Sequence, residues 1–146
     1  MKRSVRNSTR SPAPPEDPVF FVDRSLGGKS VVGVLRKAGW RVERHDDHFP
    51  PDTQDEDWIK EVGKRGWFIL TADDRLRYNP REKEALVSSN TLTFILTGRA
   101  NLKGDEMGNA FRYVRQMILS AISSQRPPAI FKVYASSRQI ARWYPR

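Results

Sequence analysis

The sequence predicts an α/β fold with a central, mainly parallel sheet and a C-terminal hairpin. Three observations carry that prediction. Short apolar runs, Val19 to Val22, Trp67 to Leu70 and Leu92 to Leu96, alternate with segments whose apolar residues recur at helical spacing, the pattern of parallel crossover units. Several runs give way to carboxylates, at Asp23, at Asp46 and Asp47, and at Asp73 and Asp74. Parallel strands share one carboxyl-end edge, so acids far apart in sequence would converge in one crevice there. Finally, Ile130 to Tyr134 and Gln139 to Trp143 flank Ser136 and Ser137, the signature of two antiparallel strands.

Each element follows from local chemistry. The first strand is Val19 to Asp23; Gly27 and Gly28 then open a helix whose positions Val31, Val34, Leu35 and Ala38 form one apolar face, and Gly39 ends it. Trp40 to Arg44 alternates apolar and charged residues and is expected nearer the sheet edge. Thr53 with Glu56 three residues later predicts a capping box and a helix carrying Trp58, Ile59 and Val62 inward, with Asp55 in its first turn. The third strand is Trp67 to Thr71. Asn79 is a second cap, with Pro80 at the first helical position, for a helix running to about Val87. The fourth strand is Leu92 to Leu96. From Met107, the residues Ala110, Phe111, Val114, Met117, Ile118, Ala121 and Ile122 keep helical spacing and predict the longest helix, with Arg112 and Arg115 on its outer face.

At 146 residues the chain fits one core. Residues 1–17 read as a flexible basic arm and residues 18–146 as the single domain. The arm lacks the apolar stretch of a secretory signal, and no apolar run reaches membrane-spanning length, so no membrane association and a cytoplasmic location are expected. The sequence has no cysteine, which excludes disulfides and thiolate metal sites. The net charge of +9 is uneven: residues 18–98 hold thirteen basic and thirteen acidic groups, residues 99–146 nine basic and two acidic. A basic body around an acidic centre suits an enzyme acting on a polyanion.

Among the acids, Asp23 ends an apolar strand, where an unpaired carboxylate is costly unless it meets a cation or donors; the structural alternative is a cap on the turn at Ser25 or Leu26. Asp73 is placed alike after Thr71, whose hydroxyl could orient it or bind phosphate. Two carboxylates about 4 Å apart repel by roughly 4 kcal/mol at an effective dielectric near 20, so several such groups need compensation. A hard divalent cation supplies it. The metal candidates are Asp23, Asp55, Asp73 and Asp74, with Asp47 and Asp57 as further candidates; Arg24, Thr71, Arg75, Arg77 and Arg81 are candidates for holding a charged substrate. The pair His45 and His48 around Asp46 and Asp47 reads as a solvated loop before the rim Phe49-Pro50-Pro51.

These blocks carry a resemblance. Phe20-Phe21-Val22-Asp23-Arg24-Ser25-Leu26-Gly27, His45-Asp46-Asp47-His48-Phe49-Pro50, Asp55-Glu56-Asp57-Trp58-Ile59, Gly66-Trp67-Phe68-Ile69-Leu70-Thr71-Ala72-Asp73 and Asn79-Pro80-Arg81-Glu82 resemble the successive motifs of the PIN-like domain family, and more narrowly its VapC-type branch of toxin ribonucleases. The resemblance implies a three-layer α/β/α sandwich whose acids bind Mg²⁺ or Mn²⁺ and cut RNA with a metal-activated water. By position, Asp23, Asp55 and Asp73 match the family's catalytic acids; Asp47 and Asp74 match less closely, and Glu82 or Glu84 is the local candidate for a further acid. It also implies an RNA substrate and a small antitoxin protein as partner, and leaves a homodimer open. The rival expectation is a PIN-like module that binds nucleic acid or a partner without catalytic activity. A phosphoacceptor receiver domain would need a lysine after the fourth strand, where Gly98 and Arg99 stand instead.

Overall fold

The structure, a computed structural model, describes residues 17–27, 29–98 and 102–145. Except for Asp17, the expected arm lies outside the described residues. Six strands form one sheet: β1 (Val19–Val22), β2 (Arg41–Arg44), β3 (Phe68–Thr71), β4 (Leu92–Thr97), β5 (Ala129–Tyr134) and β6 (Gln139–Tyr144). Their order is β2-β1-β3-β4-β5-β6, all neighbours parallel except β5 and β6. The expected α/β sheet with a C-terminal hairpin is therefore present.

Five helices cover the two faces: α1 (Lys29–Lys37), α2 (Asp55–Lys64), α3 (Pro80–Ser88), α4 (Gly104–Tyr113) and α5 (Arg115–Ser124). Alternation along the strands sends Phe20, Val22, Leu70, Phe94 and Phe131 into one core with residues of α1, α4 and α5. Phe21, Ile69, Ile95 and Ile130 point the other way, into a core with residues of α2 and α3. The result is three layers. In the second core Phe21 is fully buried, its ring 5.1 Å from that of Trp58 and 5.9 Å from that of His45.

Three local expectations are corrected. The Thr53 hydroxyl donates to Pro50 O at 2.7 Å within the turn after Pro50, so the N-cap position of α2 falls to Gln54, whose side chain makes no cap bond, and Glu56 is released to pair with Arg81 at 2.9 Å. The long helix from Met107 is two, because Val114 (φ −105°, ψ 17°) leaves the helical basin. Met107, Ala110 and Phe111 before it and Ile118 and Ala121 after it enter the same core, so the apolar spacing runs through the break. In α1, Val32 is buried and Ala38 exposed, the reverse of the expectation, while Val34 turns toward Gly108 of α4. The second strand begins at Arg41 and lies at one edge of the sheet, as its alternation predicts.

Candidate active site

The chain leaves β1 toward β2 on one side and returns by α2 to β3 on the other, so the strand order reverses between β1 and β3. Neighbouring strands whose connections diverge leave a crevice at their carboxyl ends. Both strands end alike here. Asp23 caps a 3-10 turn over Arg24–Leu26 by accepting from Ser25 N, and Asp73 caps one over Asp74–Arg77 by accepting from Arg75 N at 3.0 Å. The sequences Asp23-Arg24-Ser25-Leu26 and Asp73-Asp74-Arg75-Leu76 each bury their leucine, so each acid is pinned beside a fixed anchor.

Asp23 is 7 % exposed and accepts a second bond from the hydroxyl of fully buried Thr71. The Ser25 hydroxyl lies 3.1 Å from that of Thr71 and accepts from Ala72 N at 2.9 Å; Thr71 Oγ1 also accepts from Asp73 N at 3.0 Å. This small net ties the two strand ends together. Burial raises the Asp23 carboxyl above the usual carboxylate range; the bonds from Thr71 and Ser25 oppose that shift and the neighbouring Asp73 charge adds to it.

The helices bring two more acids. Asp55, in the first turn of α2, accepts from Trp58 Nε1 at 2.8 Å, so a fully buried tryptophan satisfies its polar atom on this carboxylate and fixes it at the rim. Glu82, in the first turn of α3, is placed by the Asn79 cap, whose Oδ1 accepts from Arg81 N and Glu82 N. Burial and the charge of Asp55, to which Glu82 is hydrogen bonded, raise its carboxyl, and Asp73 adds while Arg75 opposes. A cleft of about 370 Å³ is lined by Asp23, Ser25, His45, Asp55, Asp73 and Arg75, among others.

A family model described as PIN like domain matches residues 18–98, a span that holds β1 to β4 and every acid of this cleft. The chain belongs to the PIN-like domain family. It is also 29% identical over 122 residues to “Putative ribonuclease VapC45” of Mycobacterium tuberculosis, an alignment that covers 80% of this chain and 86% of that protein. No solved structure gives a significant match.

Within this PIN-like domain the expected residues separate. Asp23, Asp55 and Asp73 line one cleft, with Glu82 beside Asp55. Asp74 is forked by Arg77 at 2.6 and 3.1 Å. Arg77 is itself buried, 4.1 Å from the Tyr78 ring centroid and 5.1 Å from that of Trp143, so it faces protein rather than the cleft. Asp47 pairs with Arg44 at 3.4 Å and lines a separate groove beside α1, and Asp57 is exposed on α2 outside the cleft. Thr71 is sealed from solvent, which leaves it orienting Asp23 rather than meeting phosphate. Arg24 and Arg75 line the cleft; Arg81 holds Glu56. The histidines diverge, His45 packing on Phe21 and Trp58 and His48 meeting Glu43 at 2.6 Å. Glu82 emerges over Glu84, which is exposed, because of the way α3 is rotated on its cap.

Among the described residues no three histidines or carboxylates close on one point as the side chains stand. The Arg75 guanidinium, on a side chain 82% exposed, forks onto both Asp73 oxygens at 2.9 Å. The donors are nevertheless those of a hard divalent cation: oxygens only, two of their carboxyls held above the usual range by burial and mutual repulsion.

Proposed function

We propose that this PIN-like domain is a Mg²⁺- or Mn²⁺-dependent endoribonuclease and the toxin of a toxin–antitoxin pair. The observation that carries it is that Asp23, Asp55 and Asp73 line one cleft at the β1/β3 switch point, with Glu82 beside Asp55. The mycobacterial relative, named as a ribonuclease, supports the same chemistry. Asp23, Asp55 and Asp73 would hold the cation. When bound, that ion supplies Lewis acidity toward a phosphodiester and lowers the pKa of water.

The remaining work falls to the chain. Thr71 and Ser25 fix the rotamer of Asp23 by donating one hydrogen bond to each of its carboxylate oxygens at the wall of the cleft. Glu82, its carboxyl raised by burial and by the neighbouring Asp55 charge, stands beside the cleft as a group able to take a proton from a nucleophile or return one to a leaving oxygen. Arg24 and Arg75 at the rim offer forked donors to phosphate oxygens, and Arg75 is exposed enough to leave Asp73 for them. A cytoplasmic setting and a small antitoxin partner belong to the same proposal; among the described residues no helix is long and apolar enough to cross a membrane.

The Arg75 clamp on Asp73 favours one rival, a PIN-like module that binds RNA or a protein without cutting. Cleavage of single-stranded RNA by purified protein separates them. Activity should require Mg²⁺ or Mn²⁺, stop in EDTA, and fall to background in a folded Asp23→Asn, Asp73→Asn double variant. If wild type and double variant leave the same trace, the enzyme is lost and the binding module stands.

A further inference from the structure

The acid cleft opens into a longer groove. Ser25, Asp73 and Arg75 line both the cleft and a neighbouring groove of about 520 Å³ that passes the end of β4 at Gly98. Gly98 in turn lines a groove of about 320 Å³ between α4 and the turn joining β5 to β6. On its wall Tyr113 is 50% exposed, with the Arg138 guanidinium 3.7 Å and that of Arg112 5.9 Å from its ring centroid. An aromatic ring left half open between cations is the surface on which an unpaired base stacks.

Arg138 is the unexpected residue. It sits at φ 55°, in the left-handed region, and its N–H donates to Tyr134 O at 3.0 Å to close the hairpin turn. Gly or Asn meets that geometry without strain, so the turn needs a left-handed residue but not an arginine. Strain of this kind points to a use for the side chain. Among the described residues no salt bridge involves Arg112 or Arg138. Glu106, the acid lining this groove, is taken up at the start of α4, where it accepts from Lys103 N at 2.8 Å. Neither guanidinium beside Tyr113 is ion-paired among the described residues, Arg112 Nε donating to the neutral Asn109 Oδ1 at 2.9 Å, and both stand by a groove that leads to the acids.

We propose that Tyr113 and Arg138 form a nucleotide subsite that holds a base of single-stranded RNA, with Arg112 toward its phosphate, while a neighbouring phosphodiester lies at the acid cleft. A base must leave its helix to lie on the ring, which selects single strands over duplex. The subsite takes its place in the reaction from the nuclease proposal, but binding tests it separately.

The measurement is fluorescence anisotropy of a short dye-labelled single-stranded RNA in EDTA, where cleavage does not intervene. Tyr113→Leu should weaken binding roughly tenfold or more, the loss of one stacked base. Tyr113→Phe should bind as wild type does. Arg138→Asn should also weaken binding while keeping or raising the melting temperature, because Asn tolerates the left-handed turn. Duplex RNA should bind more weakly and ignore Tyr113→Leu. Equal affinity of wild type and Tyr113→Leu for single strands overturns the subsite, as does equal loss on duplex, or an absence of RNA binding with this face covered by a protein partner instead. Cleavage assayed separately with Mn²⁺ keeps the two proposals apart. Tyr113-dependent binding without cleavage removes the nuclease and leaves the subsite; cleavage with Tyr113-independent binding does the opposite.

Discussion

Asp23 is held where folding works against its ionisation. Its native pKa lies above the unfolded value because burial outweighs the bonds from Thr71 and Ser25. A carboxyl raised on folding adds stability that is fully present below its unfolded pKa and is lost as the pH rises through its native pKa. Glu82 shifts in the same direction. The metal-free protein should therefore carry a penalty at neutral pH that fades toward the ordinary carboxylate range. Asp23→Asn in EDTA should melt several degrees above wild type at pH 7, and the difference should shrink as the pH falls toward 4; a variant that melts below wild type at neutral pH would show that the ionised carboxylate stabilises the fold. That Asp23, Asp55 and Asp73 share one cleft was legible in the sequence because Asp23 and Asp73 follow apolar strands and Asp55 lies in the first turn of a helix. Glu82 against Glu84, and the diversion of Asp74 to Arg77, depend on how α3 and the turn before it rotate, which no local pattern records.

At the scale of elements, close approach between helices is set by glycines of opposite kind. A Cβ at Gly63 of α2 would fall on the backbone oxygen of Ser89 at the end of α3, whereas one at Gly33 of α1 would meet nothing within 4 Å. Gly63→Ala should cost about 1–3 kcal/mol through overpacking, although alanine is the better helix former. Gly33→Ala should gain up to about 1 kcal/mol. Urea denaturation of both variants checks the pair, and a stabilised Gly63→Ala would mean that α2 and α3 pack less closely. The Asn79-Pro80 start of α3 was legible because its cap is complete within four residues. The start of α2 was misread because Thr53 met a competing acceptor, Pro50 O, supplied by the preceding turn. The break at Val114 left no mark in the sequence, since one residue's change of dihedral angle preserves the apolar period.

For the whole molecule, the balanced charge of residues 18–98 becomes a cleft of acids at the sheet's carboxyl edge, and the basic excess of residues 99–146 includes Arg112 and Arg138 on the groove leading away from it. If Asp23, Asp55 and Asp73 hold a cation as proposed, it binds only the folded chain, and Mn²⁺ at about a hundred times its dissociation constant should stabilise the protein by about 2.7 kcal/mol. The Asp23→Asn, Asp73→Asn variant should show no such shift by calorimetry, and an equal shift in both proteins would place the ion elsewhere. The sequence by itself determined the alternation of strands and helices, the edge position of β2, the C-terminal hairpin and three acids, since these depend on periodicity and caps spanning a few residues. The tertiary structure alone decided which of the candidate acids line one cleft, that Thr71 and Arg77 turn inward, that Glu82 stands beside Asp55 and that Tyr113 lines a groove continuing from the cleft, because those outcomes depend on register and helix rotation between segments distant in sequence.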